Sequence, residues 1–370
     1  SYYAFNTIRF IIGLAEGCVQ SSLNTIVTAW FPPAEKVFTI AVYTCGFQVA
    51  FGGVQFPISY LIKWGVPWPY IYYAASAFGF LFTIGWWFLV SDKPSECKFL
   101  SKSEFNEITE KIPHIGKKPD STPWMSILTS TVIISHLMCM IGFYFSIGVT
   151  SSLFPLYFNK ELHMTTIMAG WFTLAPFSVQ LLSKFVTGYV VDLLKRKGIL
   201  THTKAAKICQ SIGAFVSALC LIALPFCHSY VPIMIALVLY GASFSCCVCG
   251  FYTTMTMVAP RYTGTISALV TFVGMLTALL SIVLFTVFEK YEVESKFYIL
   301  FSTAAALQIA GGISYLIFGT GTVQEWAIDK KPPPMEMNRL LDTNNNNNNN
   351  IDEDKALPKD SHGALPYIDA

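Results

Sequence analysis

The sequence predicts an all-α, polytopic membrane protein, and three observations carry that expectation. Hydrophobic residues make up 54% of the 370 and charged residues 12%, against roughly 25% charged in an average soluble domain. Mean hydropathy is +0.52. The apolar residues gather into runs of the length a helix needs to cross roughly 30 Å of hydrocarbon, and lipid leaves no partner for an open sheet edge, so the runs read as helices.

Nine such runs follow in order: 5-30, 37-62, 68-90, 128-157, 166-193, 205-226, 231-257, 265-288 and 297-318. Three precede and six follow a stretch rich in both charge signs, 91-127, where SDKPSECKFLSKSEFNEITEKI reads as a short amphipathic surface helix. The expected organisation is 1-90 as a remainder of an N-terminal transmembrane half, 91-127 as a cytoplasmic loop, and 128-318 as a C-terminal half. From 319 to 370 a low-complexity tail with the Asn344 to Asn350 tract lacks the apolar residues of a core and is expected to be disordered. Ser1 brings no initiator Met, basic n-region or cleavage-like site, so the chain reads as a fragment with its beginning upstream.

Lys and Arg sort by side. One set of loops holds Lys36, the lysines from Lys93 to Lys118, Lys195, Arg196, Lys197, Lys204 and Arg261; the other holds Lys63, Lys160, Lys290 and Lys296. The positive-inside rule therefore places Ser1 outside and the tail in the cytoplasm. Nine of the ten cysteines lie in or at the ends of predicted helices and read as small buried apolar residues. Cys246, Cys247 and Cys249 lack the paired spacing of a zinc site.

The first run carries two full charges within RFIIGLAEGCVQSSLN. At about 100° per residue, Asn6, Arg9, Gly13, Glu16, Gln20 and Asn24 fall within roughly 80° of one another. Ionisable residues in a membrane helix face a bundle interior or a wet cavity by default. Arg9 and Glu16 are thus candidates for a solute pathway, the alternative being a permanent pairing of Arg9 with an acid on a helix expected upstream of this sequence. In the second run Thr44, Gln48, Gln55 and Ser59 form a similar stripe near Gly52, suited to an aqueous path or to interhelical hydrogen bonding. Lys184 reads as a snorkelling lysine, His136 as a satisfied core histidine, and Pro155 as the source of a kink.

GYVVDLLKRK places Gly188 where helices approach closely, Asp192 at a helix end, and Lys195, Arg196 and Lys197 just beyond. An acid beside such a cluster forms a charge network able to latch one conformation, with Gly188, Asp192 and Arg196 as its members. This stretch resembles the loop signature of the major facilitator superfamily, and on that register the nine helices are helices four to twelve of twelve. Further resemblance lies in RFIIGLAEG, WFPPAEK, FLVSDKP, TPW at 122-124, VAPRYTG at 258-264 and GTVQEWA at 321-327. These are similar to the organic anion and phosphate group containing sialin, the vesicular glutamate transporters and the sodium-phosphate cotransporters.

The resemblance implies secondary active transport of a small organic anion or phosphate, coupled to protons or sodium or driven by membrane potential. It assigns Arg9 to anion recognition and Glu16 to proton coupling; the polar stripes themselves add Gln20, Asn24 and Gln48 as substrate-binding candidates. A guanidinium binds carboxylate or phosphate through two parallel hydrogen bonds. Two departures matter. Glutamate-carrying members place an arginine near the position of Phe143, and the group's Asn-His-Leu-Asp stretch is here Thr254, Met255, Thr256 and Met257. A carrier of an uncharged or cationic solute, or a transport-inactive scaffold, therefore stays open as an alternative. With no nucleotide loop, metal-ligand spacing or nucleophile motif, neither an enzyme, a cofactor nor a nucleic-acid partner is expected. Relatives serve lysosomal, vesicular and plasma membranes, and no sorting signal selects among these.

Overall fold

The computed structural model describes residues 2-327 except 33-34, 55-56, 59, 62-63, 98, 112-120 and 228. Gln55, Ser59, Lys63, Lys118 and the tail from 328 onward fall outside the described residues. Among those described there is no β-strand.

Eleven helices matter here. α1 is Tyr2–Trp30, α2 Lys36–Gln48 continuing into a π turn at Val49–Val54, and α3 Trp68–Leu89. α4, Lys102–Lys111, starts with a capping box: the Ser101 hydroxyl accepts from the Glu104 amide at 3.2 Å, and the Glu104 carboxylate accepts from the Ser101 amide at 3.1 Å. The short α5, Trp124–Thr129, leads into α6, Thr131–Lys160. α7 is Thr166–Arg196, α8 His202–Phe226 and α9 Tyr230–Val258; α10 is Thr263–Lys290 and α11 Lys296–Phe318.

Eight of these are long and apolar enough to cross a membrane. The ninth predicted run, 37-62, appears instead as a shorter apolar helix, Lys36–Phe51. The expected all-α, polytopic architecture is therefore the observed one.

The core lies among α6 to α11. α6 packs on α10 and α11, α7 on α9, and α8 on α9 and α11. Its largest fully buried side chains include Phe154, Phe158, Tyr240, Phe301 and Tyr315, with Phe154 and Phe301 edge to face at 5.8 Å. α1 leans on α10 and α2 on α7. By contrast α3 turns Tyr73, Phe78, Phe80, Trp87 and Phe88 outward, which apolar solvent permits at no cost.

Pro155 behaves as a local disturbance within a continuing helix. It lacks an N–H and its ring excludes the carbonyl four residues back; a π turn at Val149–Leu153 absorbs the mismatch just before it. Close helix approach is clearest between α6 and α11, where a Cβ on Gly142 would stand 2.7 Å from the Leu307 carbonyl oxygen. Only hydrogen fits there.

Gly142→Ala is accordingly expected to lower the melting temperature of the detergent-solubilised protein, with an overpacking cost of about 1–3 kcal/mol. Gly13→Ala is the control, since a Cβ there meets nothing within 4 Å, and it should leave melting unchanged or raise it slightly.

Candidate functional site

A cavity of about 40 Å³ opens where α1 and α2 meet α6, α7 and α9, space for a few water molecules. Gln20 reaches it from α1, Thr44, Phe47 and Gln48 from α2, and Phe143, Tyr144 and Thr150 from α6. Phe177, Gln180 and Lys184 enter from α7, and Phe244, Ser245 and Tyr252 from α9. Among the lining residues Lys184 is the one cation, and there is no Asp or Glu.

Lys184 owes its position to a four-residue stripe on α7. Gln180, Lys184, Gly188 and Asp192 recur at a spacing of four, which keeps them on one face of a helix. That face lies against α2, and the pairing runs antiparallel. Gln180 Oε1 accepts from Gln48 Nε2 at 3.0 Å, while the Lys184 ammonium donates to Gln48 Oε1 at 2.8 Å and to the carbonyl and hydroxyl oxygens of Thr44 at 3.2 Å each. A Cβ on Gly188 would lie 3.3 Å from both Ala41 Cβ and Phe38 Cα. Asp192 accepts the Phe38 amide at 2.8 Å.

Lys184 is 3% exposed. The snorkelling expected of it does not occur. Its ammonium turns into the protein because α2 offers it three oxygen acceptors twelve residues before the end of α7 at Arg196.

At the basic end the stripe closes with charge. The Lys195 ammonium lies 2.6 Å from the Asp192 carboxylate, both side chains being about 95% buried. Beyond it Arg196 pairs with Glu35, the residue before α2, at 3.1 Å in an exposed position. Gly188, Asp192 and Arg196 thus come together at one contact between α2 and α7.

The polar stripe of α1 divides. Gln20 lines the cavity and donates to the hydroxyls of Tyr43 at 3.0 Å and Tyr252 at 2.5 Å. Asn24 is fully buried beside it, donating to Ser267 at 2.5 Å and accepting from Tyr43, and is absent from the cavity lining. Arg9 and Glu16 are exposed and do not reach the cavity. Arg9 donates to the Tyr72 hydroxyl at 2.7 Å and stacks over the rings of Phe5 and Tyr72.

Of the departures noted in the sequence, Phe143 faces the cavity, stacked on Phe244 at 4.7 Å. Thr254 lies in the core, where its hydroxyl meets Nε2 of His136 at 3.1 Å and the Tyr315 hydroxyl at 2.5 Å. His136 Nδ1 sits 2.7 Å from the Val132 carbonyl, which can only accept, so Nδ1 carries a proton; the Thr254 hydroxyl beside Nε2 also lies 3.0 Å from the Phe251 carbonyl. His136 is a satisfied core histidine.

Comparison with known proteins agrees with this architecture. The family described as Major Facilitator Superfamily matches residues 1–282. The chain is 31% identical to the "Uncharacterized transporter slc-17.3" of Caenorhabditis elegans, over 91% of the chain and 64% of that protein. It is 28% identical to human "Sodium-dependent phosphate transport protein 1" over 87% of the chain and 69% of that protein. With human sialin the identity is 23%, over 87% and 65% of the two lengths. The chain therefore spans about two thirds of the length of these relatives.

The two ion pairs at the α2–α7 contact are expected to differ in weight. Asp192→Asn strands the buried Lys195 charge, a loss of about 3–5 kcal/mol, whereas Glu35→Gln removes an exposed pair worth about 0–1 kcal/mol. Alkylation of Cys45, buried on α2 behind the contact, measured by peptide mass spectrometry, should accelerate strongly in Asp192→Asn and little in Glu35→Gln. Equal rates in the two variants and wild type would refute the latch.

Proposed function

Because the chain belongs to the Major Facilitator Superfamily, and so is an integral multi-pass membrane protein, we propose that it is a secondary active carrier of a small organic anion or inorganic phosphate. Coupling is to protons or sodium. In this reading α1 to α3 belong to one half and α6 to α11 to the other, and the halves rock about the cavity between them. The observation that carries it is the cavity itself: it lies where α1 and α2 meet α6, α7 and α9 and holds a cation without an acid among its lining residues, while the Asp192, Lys195 and Phe38 contact joins α2 to α7 toward its basic end. The names of the phosphate-transporting relative and of sialin support the same solute class.

The basic end is cytoplasmic on the positive-inside rule, and in this reading the α2–α7 contact there belongs to a state closed to the cytoplasm. Glu16 stands one turn before Gln20, about 6 Å along the axis, and serves as the coupling carboxylate. Arg9 lies about 16 Å from Gln20 on the same stripe and meets the anion on its way to the cavity. Gln20 and Gln48 supply amide groups at the site, with Asn24 holding α1 against α10 beside it.

Uptake by proteoliposomes tests this. Wild type is expected to accumulate inorganic phosphate or a small carboxylate saturably under a proton or sodium gradient. Arg9→Lys should raise the KM roughly 10- to 100-fold, the equivalent of one lost charge-assisted bond. Glu16→Gln should abolish gradient-driven accumulation while sparing exchange. Unchanged uptake of every accepted anion in both variants overturns the two assignments, and uptake of only uncharged solutes overturns the function.

A further inference from the structure

We propose that Lys184 is the anion anchor of the seam cavity, and that the cavity is built for an organic carboxylate with an apolar or aromatic body in preference to inorganic phosphate. The proposal rests on the anion-carrier reading above and adds to it a residue and a substrate class.

A buried charge is retained only where something offsets its lost hydration. Lys184 is 3% exposed and bonds three oxygens, all of them neutral: Gln48 Oε1 and the two oxygens of Thr44. Hydrogen bonds satisfy its three N–H groups without supplying the opposite charge. The elements around it offer no spare acid among the described residues. On α7, Asp192 is committed to Lys195 and the Phe38 amide. At the start of α2, Glu35 is taken by Arg196 and Lys36 is itself cationic. α9 carries no ionisable acid or base from Tyr230 to Val258 other than tyrosine and cysteine, α6 holds only His136 and Lys160, and Glu16 of α1 is exposed outside the cavity. No acid among the described residues supplies the counter-charge, which in this proposal falls to the ligand.

The neighbours suit a carboxylate. Gln48 turns its oxygen to Lys184 and its amide to Gln180; with an anion on the ammonium, that oxygen is released and the carboxamides of both residues can present N–H donors. The remaining walls are aromatic, with Phe143 parallel to Phe244 at 4.7 Å and Phe51 against Phe177 at 6.0 Å. At about 40 Å³ the cavity as seen has room for a carboxylate head. In the proposal the stacked rings part to admit a flat organic body, to which they then offer apolar contact, and they give a compact, strongly hydrated phosphate nothing in return for its water. Binding also loosens the seam: an anion that takes the ammonium from Thr44 and Gln48 removes three bonds between α7 and α2, the contact that must open for the halves to rock.

The test uses the full chain in detergent and in proteoliposomes, with phenylacetate, its uncharged analogue phenylacetamide, and inorganic phosphate as probes. Wild type should bind phenylacetate saturably, more tightly than phosphate, and ignore phenylacetamide at the same concentration. Lys184→Gln should weaken phenylacetate at least about tenfold, while Lys184→Arg should stay within a few-fold of wild type. Equal affinity in Lys184→Gln, equal affinity for acid and amide, or tighter binding of phosphate overturns the proposal. The acid-against-amide comparison needs no variant and decides the matter if Lys184→Gln fails to fold. Anion uptake whose KM ignores Lys184→Gln defeats this inference and leaves the carrier reading standing. Lys184-dependent phenylacetate binding without transport of any anion does the reverse.

Discussion

Asp192 holds two groups at once, the Lys195 ammonium and the backbone amide of Phe38, and so joins the end of α7 to the start of α2. From that fixed point the antiparallel pairing runs inward one helical turn at a time. Gly188 lets the backbones touch at Phe38 and Ala41, Lys184 reaches Thr44 and Gln48, and Gln180 completes the row. A buried ion pair is a weak source of net stability, but removing one partner is expensive, so the contact acts as a register pin. The position of the cavity follows from it, because the row ends where the aromatic walls of α6 and α9 begin.

Two kinds of polar contact share the seam and differ in what they allow. Gln20 and Asn24 meet tyrosine and serine hydroxyls, neutral bonds of about 1 kcal/mol net each, weak enough to be exchanged. The ammonium of Lys184 is different. Its partners are neutral although it is charged, so an anion competes for it with advantage. The proposed alternating-access cycle uses this combination, a seam held by replaceable bonds with the proposed binding charge among them.

The charges that stand out most in the sequence lie at the margin of this arrangement. Arg9 and Glu16 belong to the stripe that Gln20 continues, yet they are exposed, and Arg9 is engaged by Tyr72 of α3. In the proposed cycle they act on approach and coupling. The deep contact belongs to a lysine that composition and helical position assign to the membrane surface.

Much of this protein was legible in the sequence. Runs of about 20 apolar residues determine membrane helices whatever their neighbours, because the unmet hydrogen bonds of an unfolded backbone are intolerable in lipid. The spacing of Gly188, Asp192 and Arg196 likewise marked the helix end that joins α2, and Gln20 and Gln48 showed themselves as polar groups on otherwise apolar faces. The role of Lys184 was not legible, although Gln180, Lys184, Gly188 and Asp192 share one face, because the same spacing serves a snorkelling side chain equally well. The choice between surface and interior depends on which helix lies opposite and which oxygens it presents. Thr44 and Gln48 are 136 to 140 residues away in the chain. Periodicity within one helix settles which residues share a face, and only the packing of one helix on another decides what that face meets.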